Sequence, residues 1–188
     1  MVVAQYGYIP FCLKEGDKKE ASAELKEARK NLAILRESDP GNPGFIALEA
    51  AFYGFEMGIN PLSGIFLAGE AKELTNKAYD NDPDCLICIS VKANQLNFTP
   101  AIFGGSTEES IPYYKKIIGI YESGRVEILN DWNFINTLVI MAGAYEKMGL
   151  YNEACSIYEK ILNVEPGIGW VRNTLYPDCI KSRDRAKH

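Results

Sequence analysis

The stretch LVIMAGAYEKMGLYNEACSIYEKILNVEP, residues 138–166, decides the fold. In its first half Leu138, Met141, Ala142 and Tyr145 recur at the three- and four-residue spacing of one helical face. Gly149 then allows a tight turn. The second half, with Ala154, Tyr158 and Ile161, is again apolar at helical spacing and ends at Pro166, which cannot continue a helix. The pattern is a helix–turn–helix hairpin. Small Ala142 and Ala154 let the two helices approach, and large Tyr145 and Tyr158 fill the groove beside them.

The end of this hairpin recurs upstream. Twelve residues before Pro166 stands Ala154; the same step back from Pro40 gives Ala28, and from Pro83 gives Ala71. A fourth copy, IPYYKKIIGIYESG, puts Ser110 at the small position and Glu122 in place of the proline. The stops lie 43, 39 and 44 residues apart. The first helices agree: six residues after Pro40 come Ile46, then Ala50 and Tyr53, and six after Pro83 come Ile89, then Ala93 and Leu96. One position departs, because Glu49 and Lys92 stand where the last unit has the apolar Met141.

The spacing resembles the tetratricopeptide repeat, most specifically over 138–166. Its usual unit is about 34 residues, so these repeats carry insertions. The resemblance implies an all-α, right-handed solenoid of about four antiparallel hairpins. A single domain is expected over 1–188, with units at about 1–40, 41–83, 84–123 and 132–166. Helices are expected at about 3–14, 18–38, 43–58, 68–81, 84–97, 107–122, 132–148, 152–164 and 168–182, the last capping the array before a charged, frayed end, KSRDRAKH. No strand pattern occurs. Two loops, PLSGIFLAG (61–69) and TPAIFGGS (99–106), carry an Ile-Phe pair followed by glycine. Their apolar residues are expected to tuck onto the core; the alternative is a rim that grips a ligand. Ser106 with Glu109 reads as a capping box, and Pro112 predicts a kink or a helix start near Ser110. Gly124 to Asp131 reads as a longer linker.

Composition bounds the function. The 188 residues are 47% hydrophobic and 24% charged, as in an ordinary globular chain. The net charge of −5 opposes binding to phosphate backbones, so nucleic acid is not an expected partner. No apolar run reaches the ~20 residues that cross a bilayer. The apolar N-terminus lacks a basic start and is interrupted by Pro10, so it does not read as a signal peptide. The expected compartment is the cytoplasm, or the periplasm or cell envelope if a leader has been removed.

Catalytic constellations are missing. The one histidine is His188, there is no phosphate-loop pattern, and the carboxylates lie in charge runs such as KEGDKKEASAELKEARK that suit a solvated face. No metal set is present and no cofactor is expected. Of the five cysteines, Cys85 and Cys88 form a C-x-x-C without a second pair, and Ile89 excludes a c-type haem site. The odd count suits a reducing compartment and buried, inert thiols. A redox or metal role for the pair is the alternative.

The family resemblance implies a partner peptide or helix lying along the first helices of successive hairpins. Carried onto this sequence, the groove positions are Ala47, Ala51, Gly54 and Phe55; Ser90, Asn94, Asn97 and Phe98; and Asn136, Val139, Gly143, Glu146 and Lys147. Amides such as Asn94 suit an extended peptide backbone, and Phe55 offers an apolar anchor. Paired basic clusters that would clamp a C-terminal carboxylate are not evident. The expected function is a non-catalytic interaction scaffold with a protein or peptide partner. A small-ligand-binding or transporter-accessory protein with its cavity closed by the two Ile-Phe loops and an enzyme using Cys85 or Cys88 are the alternatives. An uncapped end near Met1 would permit homo-oligomers.

Overall fold

The computed structural model describes residues 1–124 and 131–186, apart from the side chain of Ile65. Among these residues there is no strand. The chain divides into two compact units, 1–95 and 96–188, with the division inside one helix.

The first unit holds α1 (Val2–Lys14), α2 (Lys18–Ser38), α3 (Pro43–Ile59), α4 (Gly64–Asn81) and most of α5 (Leu86–Phe98). The second holds the end of α5, α6 (Thr107–Glu122), α7 (Trp132–Lys147), α8 (Tyr151–Val164) and α9 (Tyr176–Arg185), which follows directly on a π-helical turn, Val171–Leu175. Pro177 explains that turn: it has no N–H for Asn173, and its ring crowds that carbonyl, so the ladder widens just before it.

The proline stops act as expected. Helices α2, α4 and α8 end at Ser38, Asn81 and Val164, each two residues before its proline, because the residue preceding proline is pushed out of the α region. The next helices are restarted by side-chain caps. Asn42 Oδ1 accepts the N–H groups of Gly44 and Phe45 ahead of α3, and Asp82 Oδ1 accepts those of Asp84 and Cys85 ahead of α5. The turns at Gly16 and Gly149 match bond for bond. Each glycine has a φ near +75° (80° and 73°). Gly149 N–H reaches Glu146 O and Leu150 N–H reaches Tyr145 O, as Gly16 reaches Leu13 and Asp17 reaches Cys12, so both first helices end in a Schellman turn.

The four small residues in register are all buried: Ala28, Ala71, Ser110 and Ala154. So are their partners on the first helices, Ala50, Ala93 and Ala142. Ile46, Ile89 and Leu138 are also shut off from solvent. The two charged departures have a local reason. Glu49 of α3 pairs with Arg36 of α2, and Lys92 of α5 donates to Asn76 Oδ1 of α4. Each charge faces the second helix of the preceding hairpin and finds a polar partner there, where Met141 is simply buried.

Several expectations are corrected. Residues 61–69 are not an open loop: a 3₁₀ turn, Pro61–Ser63, capped by Asn60, runs straight into α4. Thr107 opens α6 with Ser106 Oγ accepting Glu109 N–H at 3.2 Å, and Pro112 lies inside the helix rather than starting it. Only half of the capping box forms, since Ser106 N–H goes to Leu96 O at 2.8 Å. The charged C-terminal run is helical as far as Arg185. Phe66, Ile102 and Phe103 do not tuck in: they are 82%, 86% and 62% exposed. The cysteines are not all free thiols, for Cys85 is bonded to Cys88 and Cys155 to Cys179, leaving Cys12 as a buried thiol. Of the expected linker, residues 125–130 lie outside those described, as does the terminal histidine.

No described helix is long and apolar enough to cross a membrane.

Candidate functional site

In the first unit, α1 meets the face of α3 and α5 that carries the predicted groove residues. Phe55 is partly buried, with its ring 5.7 Å from that of Tyr6 and 6.2 Å from that of Phe52. Asn94 Nδ2 donates to Tyr6 Oη at 3.1 Å. Burial pushes the Tyr6 hydroxyl up to about 12, with the Asn94 bond acting against it. Ser90 and Ala47 are buried. Two of the predicted residues of this unit, Phe55 and Asn94, thus both meet Tyr6 of α1. Tyr6 is the residue that sequence reasoning missed. Its i, i+3 partners Ile9 and Cys12 are buried with it, and that stripe was the available signal.

In the second unit the predicted residues Asn97, Phe98 and Lys147 come together. Asn97 is buried at the end of α5. Its Nδ2 donates to Tyr114 Oη of α6 at 3.4 Å. Its Oδ1 accepts from Lys147 Nζ at 3.3 Å, and its backbone carbonyl from the same ammonium at 3.5 Å. The Lys147 Nζ also stands 4.9 Å from the centroid of the Phe98 ring, a ring 60% exposed. An amide, a carbonyl and an aromatic face thus hold one cation at the surface.

The neighbouring Glu146 points elsewhere, because consecutive helical residues are turned by about 100°. Its carboxylate accepts from Tyr158 Oη of α8 at 3.2 Å. Burial raises its pKa first; the Tyr158 bond lowers it and Asp178 raises it. Tyr158 is raised in turn by burial and then by Glu146. Glu146 belongs to the α7–α8 packing and not to the Lys147 cluster.

Asn136, Gly143 and Lys147 follow one another at spacings of seven and four along α7, which places them on one face. Asn136 is exposed, and Val139 and Gly143 are half-buried beside it. From Asn136 to Lys147 the face runs about 16 Å, the length of about five residues of extended chain. The turn that follows Phe98 in the chain carries the exposed Ile102 and Phe103. Among the described residues no group of three or more His, Cys, Asp or Glu could hold a metal.

The tetratricopeptide-repeat family model matches residues 135–167, which contain α7 from Ile135 and all of α8. No curated protein matches the chain. Among solved structures, the HusA haemophore from Porphyromonas gingivalis is similar at 19% identity and a TM-score of 0.52, over 78% of this chain and 70% of that one. MamA is similar at 18% identity and a TM-score of 0.51, over 91% of each chain. At such identities the likeness is one of fold. The chain is an all-α, tetratricopeptide-like helical repeat protein with a tetratricopeptide repeat at residues 135–167.

Proposed function

We propose that this chain is a non-catalytic interaction module that binds a short segment of a partner protein along the exposed face of α7 and the Phe98 turn. The observation that carries the reading is the Lys147 cluster. A cation fixed by Asn97 and by the Phe98 ring, with exposed Ile102 and Phe103 in the turn that follows Phe98 in the chain, suits a segment with one acidic and one or two apolar residues. Asn136, at the far end of the same face, can donate to and accept from an extended backbone. Phe98 is the apolar anchor in this reading, and Phe55 is not, since it packs against Tyr6.

The test is affinity capture from a lysate of the source organism with wild type and a Phe98→Ala/Lys147→Glu variant. Both residues are exposed, so the fold survives the change. A protein retained by the wild type and lost by the variant supports the reading and names the partner. Equal retention by both moves the binding surface away from α7.

A second reading, a binder of a small apolar ligand, is favoured by the exposure of Ile102 and Phe103 in a glycine-rich turn and by the fold shared with a haemophore. A haem titration followed by absorbance separates the two. Saturable binding abolished by Ile102→Ser/Phe103→Ser would favour the small ligand.

A further inference from the structure

The two disulfides sit in opposite environments. Cys155 and Cys179 are both shut off from solvent, 2% and 0% exposed, and their bond ties α8 to α9 across 24 residues of sequence. Cys85 and Cys88 lie three residues apart at the start of α5, with Cys85 half-buried and Cys88 fully buried in the core of the first unit. Of the second pair, Cys85 reaches the surface in part and Cys88 does not. We propose that Cys85–Cys88 is a reversible thiol–disulfide exchange site for small-molecule thiols, entered at Cys85, whereas Cys155–Cys179 is a permanent structural bond.

Apart from the Cys88 N–H, which donates to Cys85 Sγ, the backbone around the pair is held without help from the sulfurs. Asp82 Oδ1 accepts the N–H groups of Asp84 and Cys85 at 3.0 and 3.1 Å, and Ile89 N–H donates to Cys85 O at 3.0 Å. Opening the bond therefore leaves α5 and its cap in place. A bond that closes a loop of only two intervening residues also restricts the unfolded chain little, unlike one that spans two helices. Breaking the first is a local event, and breaking the second is a loss of tertiary constraint.

The exchange balances as follows. The thiolate of an incoming thiol attacks Cys85 Sγ, a sulfur–sulfur bond forms between them, and the Cys85–Cys88 bond breaks. Cys88 leaves as thiolate and takes up the proton that the incoming thiol released. A second thiol attacks the mixed disulfide at the sulfur of the small molecule and expels Cys85 as thiolate, which is then protonated. Two thiols are oxidised to one small-molecule disulfide, and the protein disulfide is reduced to two thiols. The Cys88 N–H, 3.3 Å from Cys85 Sγ, and the amino end of α5 favour Cys85 as the departing thiolate. The reverse reaction, driven by a small-molecule disulfide, runs through the same mixed disulfide at Cys85.

The native 188-residue chain is titrated with dithiothreitol, quenched with acid, denatured, alkylated and mapped by peptide mass spectrometry, with helix content followed by circular dichroism. Cys85 and Cys88 should become alkylated at a reductant concentration at least about tenfold below that which opens Cys155–Cys179, with the helix signal unchanged, and oxidised glutathione should restore the bond. With oxidised glutathione, Cys88→Ser should form a mixed disulfide at Cys85, and Cys85→Ser should form none at Cys88. Simultaneous opening of both disulfides, opening of Cys85–Cys88 only with loss of helix signal, or an adduct on Cys88 in Cys85→Ser as fast as that on Cys85 would each overturn the proposal. The wild-type titration decides the matter even if a serine variant fails to fold.

Discussion

Lys147 Nζ stands 4.9 Å from the centroid of the Phe98 ring while donating to Asn97 Oδ1 at 3.3 Å. Asn97 and Lys147 lie 50 positions apart in sequence, and only the return of α7 to the end of α5 brings them together.

Asn97 and Lys147 should separate stability from binding. Asn97 is buried, so Asn97→Ala removes its bonds to Tyr114 and Lys147 and should cost about 1–3 kcal/mol in urea unfolding. Lys147→Ala removes an exposed cation–π contact and should cost no more than about 1 kcal/mol, yet lose the captured partner.

The small-residue register should be intolerant of bulk. Ala154→Leu, at a site with no solvent exposure between α7 and α8, should destabilise the second unit by about 1–3 kcal/mol by forcing the helices apart. Ala154→Ser should be tolerated far better, since Ser110 fills the same register position in α6. Thermal melts of the two variants provide the comparison.

Gly105 should resist any side chain. A Cβ there would lie 1.7 Å from the carbonyl oxygen of Thr99, and backbone cannot swing aside as a side chain can. Gly105→Ala should cost about 1–3 kcal/mol or displace the 99–106 turn. In the second case the Ser106 N–H to Leu96 O bond breaks, and faster amide hydrogen exchange at Ser106 would report it.

Alkaline pH should weaken the first unit through Tyr6. Its hydroxyl titrates at about 12 in the fold against 10.0 for a free tyrosine, chiefly through burial. The unfolded chain releases its proton first, so the stabilising contribution is complete below pH 10 and is lost as pH rises from 10 to about 12. A displacement of that size is worth on the order of 2 kcal/mol. Tyr121, also pushed up to about 12 by burial and then by its bond to Asp131, adds in the same direction. Urea midpoints near neutrality and at about pH 11 should diverge less for Tyr6→Phe than for wild type.

The sequence by itself determined the hairpins. Proline cannot continue a helix, glycine alone enters the left-handed turn cheaply, and small residues repeated twelve positions before each stop are local facts that one chain segment imposes without help. Helices α2, α4 and α8, the Schellman turn at Gly149 and the buried Ala28, Ala71, Ser110 and Ala154 were legible for that reason. Tertiary structure alone decided what each surface residue does. Phe55 and Asn94 read as free groove residues until α1 places Tyr6 against both. Glu146 and Lys147 read as neighbouring groove residues until α8 takes the first and the end of α5 the second. Ile102 and Phe103 read as core, yet the turn holds them in solvent. The cysteines read as lone thiols, and pairing Cys155 with Cys179 required α9 to fold back on α8. Whether a side chain is spent on the fold or left for a partner depends on which distant element meets it, and no spacing within one helix encodes that meeting.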